Sequence, residues 1–192
     1  MTMEFKNADR KKTAHNLYCA PMLTKEECNE IIKNSNKWLE GTVLKFGQFI
    51  KVKEYRSVQI CRTSVTEELV DKIFVTVFKV NTATFRFHLD GYDERDVPNV
   101  LKYSADRGDH YVWHTDLIPG DAVRKLSFTI QLSDPSEYDG GDLEFSPGTT
   151  DPNIRKQGMM TIFPSYATHR VTPVTRGTRY AIVGWIYGPE FR

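Results

Sequence analysis

The sequence predicts an α+β fold dominated by β-structure, and three observations lead there. Two segments in the first half carry helix-start signals followed by apolar residues at helical spacing. The second half is a succession of short apolar or alternating runs. Turn clusters rich in Gly, Pro and Asp separate those runs at the spacing of a sandwich or barrel. Helices that precede such a β core, rather than alternating with its strands, give an α+β protein.

Taken in order, residues 1–15 are polar and include Arg10-Lys11-Lys12. They read as a loose tail with solvated charges, a phosphate-contacting patch being the other reading. Thr24-Lys25-Glu26-Glu27 opens the first helix as a capping box, in which the Thr24 hydroxyl and the Glu27 carboxylate each take a free backbone amide. Leu23 can staple against Cys28. Cys28, Ile31, Ile32, Ser35 and Leu39 trace one face, and Gly41 is the expected stop. Residues 42–52 and 54–61 read as extended. A second helix starts at Thr66-Glu67-Glu68-Leu69, buries Leu69, Val70, Ile73, Phe74 and Val77, and ends near Asn81. Phe85-Arg86-Phe87-His88-Leu89 alternates as a half-buried strand does. Residues 91–96 form a charged loop, Val100 to Tyr103 another strand, and Arg107-Gly108 a turn. From Tyr111 the chain is strand-dense: 111–114, 126–132, 143–145, 158–163, 169–174 and 179–186. Turns are expected at Tyr138 to Asp142, at residues 146–156 and at Thr175-Arg176-Gly177-Thr178. The reading is of one domain over 1–192. Residues 1–20 form a tail and first strand, 21–100 helical and strand support, and 101–192 a catalytic core.

Composition narrows the class. Of the 192 residues 40% are hydrophobic and 27% charged, which is ordinary globular usage, and the net charge is +1. That balance lacks the basic excess of a dedicated nucleic-acid binder, although it leaves room for a local patch. Cys19, Cys28 and Cys61 are scattered, form no CxxC pair and fit a reduced compartment. With no basic-then-apolar leader and no apolar run of membrane-spanning length, a cytoplasmic protein is expected. There is no internal repeat and no low-complexity segment.

The chemistry concentrates at His114-Thr115-Asp116. On a strand, residues i and i+2 share a face, so an imidazole and a carboxylate project together. His169 is the candidate third ligand. Two His and one carboxylate on one face of an octahedral metal make the facial triad of non-haem Fe(II) oxygenases, with three positions left open. A 2-oxo acid can take two of these and O2 the third. Arg179 lies ten residues beyond His169, and its guanidinium suits the far carboxylate of a five-carbon dioate. His-x-Asp alone is a weak signal, because a single strand His is more often satisfied by a hydrogen bond than by a metal. The constellation is what raises its value.

These residues, with Arg124-Lys125-Leu126-Ser127, Gln131-Leu132-Ser133-Asp134, Tyr138-Asp139-Gly140-Gly141-Asp142-Leu143, Phe163-Pro164-Ser165, His169 to Val174 and Arg176-Gly177-Thr178-Arg179-Tyr180, resemble the prolyl-4-hydroxylase-type 2-oxoglutarate and Fe(II)-dependent dioxygenases. Within them the sequence is most similar to the bacterial and phage PKHD-type hydroxylases, from about Pro21 to the end. The resemblance implies a double-stranded β-helix (jelly-roll) core with supporting N-terminal helices. It implies Fe(II) held by His114, Asp116 and His169, and 2-oxoglutarate held at Arg179 with Tyr103. O2 is the second co-substrate and ascorbate a stimulating reductant. Gln131 reads either as lining the co-substrate pocket or as a satisfied inward amide. Trp185, Tyr111 and Trp113 are candidate substrate contacts, Thr172 a candidate pocket hydroxyl, and His110 is not expected to be a ligand. Asp116 favours hydroxylation over halogenation, because the family's halogenases replace that carboxylate with a small residue.

The implied activity is hydroxylation of a protein or peptide residue, proline first, by hydrogen abstraction and hydroxyl rebound. A free amino acid or other metabolite is the alternative substrate. A nucleic-acid demethylase and a silent jelly-roll binding module are lesser readings. No membrane or nucleic-acid partner is expected, and the oligomeric state is read as monomer or homodimer.

Overall fold

The computed structural model describes residues 17–45, 48–93, 96–117, 122–146 and 151–191. The basic tail at Arg10-Lys11-Lys12, the centre of the charged loop at Glu94-Arg95 and residues 147–150 lie outside the described residues.

The strands are β1 (Tyr18–Pro21), β2 (Leu39–Glu40), β3 (Val43–Lys45), β4 (Gln48–Ile50), β5 (Arg56–Ser57), β6 (Gln59–Cys61), β7 (Asn99–Ser104), β8 (His110–His114), β9 (Ala122–Gln131), β10 (Tyr138–Gly140), β11 (Leu143–Phe145), β12 (Met159–Pro164), β13 (His169–Val171) and β14 (Val174–Pro189). The helices are α1 (Lys25–Asn34) and α2 (Glu67–Val80). A large sheet runs β1-β12-β9-β14-β7-β6-β2, with β10 also paired to β14. A smaller sheet runs β11-β13-β8-β5, and β3-β4 form a separate hairpin. Every strand pairing among the described residues is antiparallel. This is the β-dominated jelly-roll that the family resemblance implies.

Two cores follow from the alternation of the strands. The helices cover the outer face of the large sheet, where Cys28, Ile73 and Val77 pack with Val100, Leu126, Ile130, Ile182 and Ile186. Between the sheets, Val58, Leu101, Tyr103, Leu143, Phe145, Phe163 and Val171 form the second core. On β7, Val100 faces the helices while Leu101 and Tyr103 face inward, as period-2 geometry requires.

Both helix starts are as predicted. Thr24 and Glu27 form the full capping box, and Thr66 Oγ1 accepts from the Leu69 amide. The end of α1 differs from expectation. It stops at Asn34, with Ser35 as its cap, rather than running to Gly41. The Ser35 hydroxyl donates back to Ile31 O at 2.8 Å, a bond that competes with helix continuation. Leu39 then pairs with Ile60 in β2 and is exposed rather than on a buried helix face.

The predicted strand at 85–89 is absent. α2 instead continues into a π-turn over Asn81–Phe85, and Arg86 takes a left-handed conformation at φ 59°. The Asn81 side chain accepts from Phe87 N at 2.9 Å and donates to Phe87 O at 2.8 Å. One amide side chain therefore satisfies the backbone groups that a neighbouring strand would have paired. The turn expected at 175–178 is also replaced, because β14 runs straight through it. Gly177 keeps φ at 69° inside the strand, and a Cβ there would lie 2.1 Å from Glu137 O, so β10 can approach only a glycine.

Candidate active site

The candidate metal-binding residues come from three places. His114 ends β8, His169 opens β13, and the two are in register across the smaller sheet. Asp116 is not on the strand with His114, as the same-face expectation had it. It lies two residues past the end of β8, fixed by its amide donating to Ser165 O at 2.9 Å. The β8–β13 register slips between His169 and Val171, since Val171 pairs with Tyr111, three residues before His114. That bulge brings Tyr111 and His114 to the same side, with their rings stacked at 3.5 Å and 14°. Trp113 falls outside the pocket lining, 39% exposed, with the Arg170 guanidinium 4.6 Å from its ring.

The donor atoms of His114, Asp116 and His169 all lie within 4.8 Å of one another. Asp116 Oδ1 is 3.7 Å from His114 Nε2, and Oδ2 is 3.6 Å from His169 Nε2. Each ring is oriented by its own backbone, His114 Nδ1 at 2.8 Å from Val112 O and His169 Nδ1 at 2.9 Å from Ala167 O. A carbonyl can only accept, so each Nδ1 carries the proton and each Nε2 turns its lone pair inward. Ser127 Oγ donates to Asp116 Oδ2 at 2.7 Å and sits 2.9 Å from Ser165 Oγ. The donor set, its spacing and its outer hydrogen bonds all fit a facially bound Fe(II).

Electrostatics keep these candidate ligands in the forms a metal would need. Burial, then the neighbouring His169, push His114 down to about 4 against the pull of Asp116, so it is neutral at physiological pH. Burial works to raise Asp116. The two imidazoles and the Ser127 hydroxyl outweigh it and hold the carboxyl below its usual range.

These groups line one open pocket between the two sheets. Arg179 also lines it, 4% exposed, on β14 directly opposite Tyr103 on β7. The Arg179 guanidinium lies 5.6 Å from the Tyr103 ring, and its Nε donates to Gln131 Oε1 at 3.0 Å. Gln131 Nε2 in turn donates to Ser133 O and the Tyr138 hydroxyl. Gln131 is thus the satisfied inward amide of the two readings, bracing Arg179 and not itself lining the pocket. Gly141 lets Arg179 lie where it does, since a Cβ there would sit 3.1 Å from Arg179 Cδ. Burial raises the Tyr103 phenol against the pull of Arg56 and Arg179, so it remains a hydrogen-bond donor.

Trp185 and Tyr111 line the pocket as well. Arg124 stacks 3.6 Å over the Trp185 ring and is itself held by Asp96, which also accepts from the Tyr187 hydroxyl at 2.6 Å. Thr172 is not a pocket hydroxyl, because it faces the loop and accepts from the Asp142 amide at 2.8 Å. The ring nitrogens of His110 face the carbonyls of Gly108 and Glu54, and it is not in the pocket lining. Ser127, Ser165, Thr129 and Arg56 belong to the site without having been expected there. For Ser127 and Thr129 the signal was present, as the polar positions of an alternating strand. For Arg56, on a short polar strand, there was none.

A jelly-roll whose two sheets enclose a His-Asp-His facial triad and a buried arginine is the architecture of a non-haem iron oxygenase. The sequence profile of the 2OG-Fe(II) oxygenase superfamily matches residues 98–187. A PKHD-type hydroxylase of Synechococcus sp. (strain CC9902) is 31% identical over 82% of this chain and 69% of its own length. Another from Hyphomonas neptunium is 46% identical over 46% of this chain, and the match spans only 42% of that relative. A Trichoplax adhaerens prolyl hydroxylase, solved in complex with a hypoxia inducible factor peptide fragment, shares the fold at a TM-score of 0.68 and 18% identity, over 91% of this chain and 84% of that one. The chain belongs to the PKHD-type branch of the 2OG-Fe(II) oxygenase family. That family's cofactor is Fe(II), and its co-substrates are 2-oxoglutarate and O2. No helix among the described residues is long and apolar enough to cross a membrane.

Proposed function

We propose that this chain is a 2-oxoglutarate- and O2-dependent hydroxylase acting on a protein or peptide residue, with proline the leading substrate. The observation that carries this reading is the convergence of His114, Asp116, His169 and Arg179 on one pocket. The hydroxylase names of the curated relatives and the peptide bound to the Trichoplax enzyme support the substrate class.

Each residue has a role in that reaction. His114, Asp116 and His169 hold Fe(II), and the carbonyls of Val112 and Ala167 fix which ring nitrogens face it. Ser127 and Ser165 fix the rotation of the Asp116 carboxylate. Arg179, held by Gln131, grips the far carboxylate of 2-oxoglutarate, and the Tyr103 hydroxyl beside it donates to the same molecule. Trp185 and Tyr111 contact the substrate. When bound, the metal and its co-substrates supply the oxidation that puts one oxygen atom into a C–H bond, with 2-oxoglutarate leaving as succinate and CO2. The protein positions that bond and keeps water from the centre.

The test is a mass-spectrometric search for products heavier by one oxygen atom in peptide and amino-acid pools, run alongside succinate release. Coupled product and succinate, both lost in Asp116→Ala, support the reading. Iron-loaded protein that forms no succinate from 2-oxoglutarate overturns it.

A further inference from the structure

Arg56 lies on β5, at the edge of the smaller sheet and in register with Tyr111. It lines the same pocket as the metal-binding triad and Arg179. Its guanidinium is 4.7 Å from the Tyr111 ring, which stacks at 3.5 Å on His114. The cation is therefore one aromatic ring away from a metal-binding imidazole. Nη1 donates to Thr42 O at 2.8 Å, which anchors one corner of the group. Nε is buried and has no partner. Leaving a buried donor unmade is costly, more so on a charged group.

Five other arginines are treated differently. Arg107, Arg124, Arg155, Arg170 and Arg176 are each paired with an Asp or Glu. The two that line the pocket, Arg56 and Arg179, have no carboxylate partner among the described residues. On the reading proposed above, 2-oxoglutarate supplies one for Arg179. Asp116 and the other carboxylate of the diacid then offset the two charges of Fe(II). Nothing offsets Arg56. Arg56 is half-buried, with only the Tyr111 ring and Thr42 O to answer its charge, so an anion from the pocket side would find an unpaired cation there.

We propose that Arg56 is a specificity-determining residue that binds a carboxylate of the substrate. Nη1 is taken by Thr42 O and Nε is covered by protein, which leaves Nη2, without a partner among the described residues, as the donor that meets a carboxylate in a charge-assisted hydrogen bond. The oxidised C–H then belongs to a molecule that carries an acid group close to the reacting carbon. That group can be the α-carboxylate of a free amino acid, the C-terminus of a peptide, or an Asp or Glu side chain beside the target residue. This inference rests on the oxygenase reading and names the substrate chemistry of that same site.

The test uses the full chain loaded with redox-inert Mn(II) and saturated with 2-oxoglutarate, so that binding is read without turnover. Equilibrium dialysis with mass spectrometry measures retention from matched pools. The first pool is L-amino acids against their carboxamides. The second is a peptide library with free against amidated C-termini. The third is the amidated library with against without Asp and Glu. Wild-type protein is expected to retain the acid members of at least one pool about tenfold or more over their neutral partners, the loss typical of a deleted charge-assisted bond. The pool that discriminates identifies the source of the carboxylate. Arg56→Gln should abolish the discrimination, and Arg56→Lys should restore part of it, keeping the charge but not the anchor of the guanidinium on Thr42 O. Thermal melting of both variants checks that the anchor on Thr42 is not what was lost. Equal retention of acids and amides in every pool, or no retention at all, overturns the proposal. So does Arg56→Gln weakening 2-oxoglutarate itself as much as Arg179→Gln does, which would place Arg56 in the co-substrate site. Wild-type protein that does not bind 2-oxoglutarate overturns the oxygenase reading as well, and is distinguished by that measurement alone.

Discussion

The outer face of the large sheet carries Leu126, Phe128, Ile130, Ile182 and Ile186 against the helices, while its inner face carries Ser127, Thr129, Gln131 and Arg179 at nearly equal burial. What separates the faces is how each is satisfied. The outer one is held by apolar area removed from water, on the order of 25 cal/mol per Å². The inner one is held by specific partners: Ser127 on Asp116, Gln131 on Arg179 and Tyr138. Burying polar groups is close to neutral when they are paired and costly when they are not, so the inner face contributes geometry more than stability. Outer-face substitutions should therefore cost stability and spare the site, and inner-face substitutions should do the reverse.

Asp116→Ala is the sharpest test of that contrast. It removes one of three ligands, and metal affinity by calorimetry should fall by more than the roughly 10- to 100-fold that loss of an outer hydrogen-bond partner costs. The melting temperature of the metal-free protein should hardly move, because Ser127 keeps Ser165 as a partner. On the outer face, Ile130→Ala deletes a fully buried side chain and should cost about 2–5 kcal/mol in chemical denaturation. Folded Ile130→Ala should bind metal as wild type does. Ser127→Ala leaves the ligands intact but frees the carboxylate to rotate, for an expected loss of about 10- to 100-fold in metal affinity. Equal loss of stability and affinity in any of these variants would erase the distinction between the faces.

The smallest expected effect is on pH. His114 is pushed from 6.5 down to about 4 by burial and by His169, so the unfolded chain binds a proton that the folded one refuses. Its stabilising contribution is complete above about 6.5 and is lost as pH falls through about 4. Metal-free protein should lose stability across that window, and a His114→Phe variant should lose less of it, as followed by urea midpoints.

The same contrast explains what could be read in the sequence. Helix starts were legible because caps are local: Thr24 with Glu27, and Thr66 with Leu69. The triad and Arg179 were legible because their chemistry names a partner. Helix and strand ends were not, because side chains far along the sequence or out of pattern decide them. Asn81 closing on Phe87 removed a strand that alternation predicted. A bulge in β8 moved Tyr111 into the pocket with His114 and left Trp113 outside it. On β9 the pattern itself was read correctly, yet its polar half faces the space between the sheets, with Thr129 in the pocket lining, and not water, which no single strand reveals. Arg56 gave no signal, because its meaning comes only from lining the same pocket as the triad and Arg179.

Whether triad and guanidinium form one site is decided by a calorimetric titration of 2-oxoglutarate into Mn(II)-loaded and metal-free protein, in wild type and Arg179→Gln. If triad and guanidinium form one site, binding requires the metal and weakens by at least about tenfold in Arg179→Gln, as expected for loss of a buried charge-assisted contact. Affinity that is indifferent to the metal, or to the loss of Arg179, would contradict it.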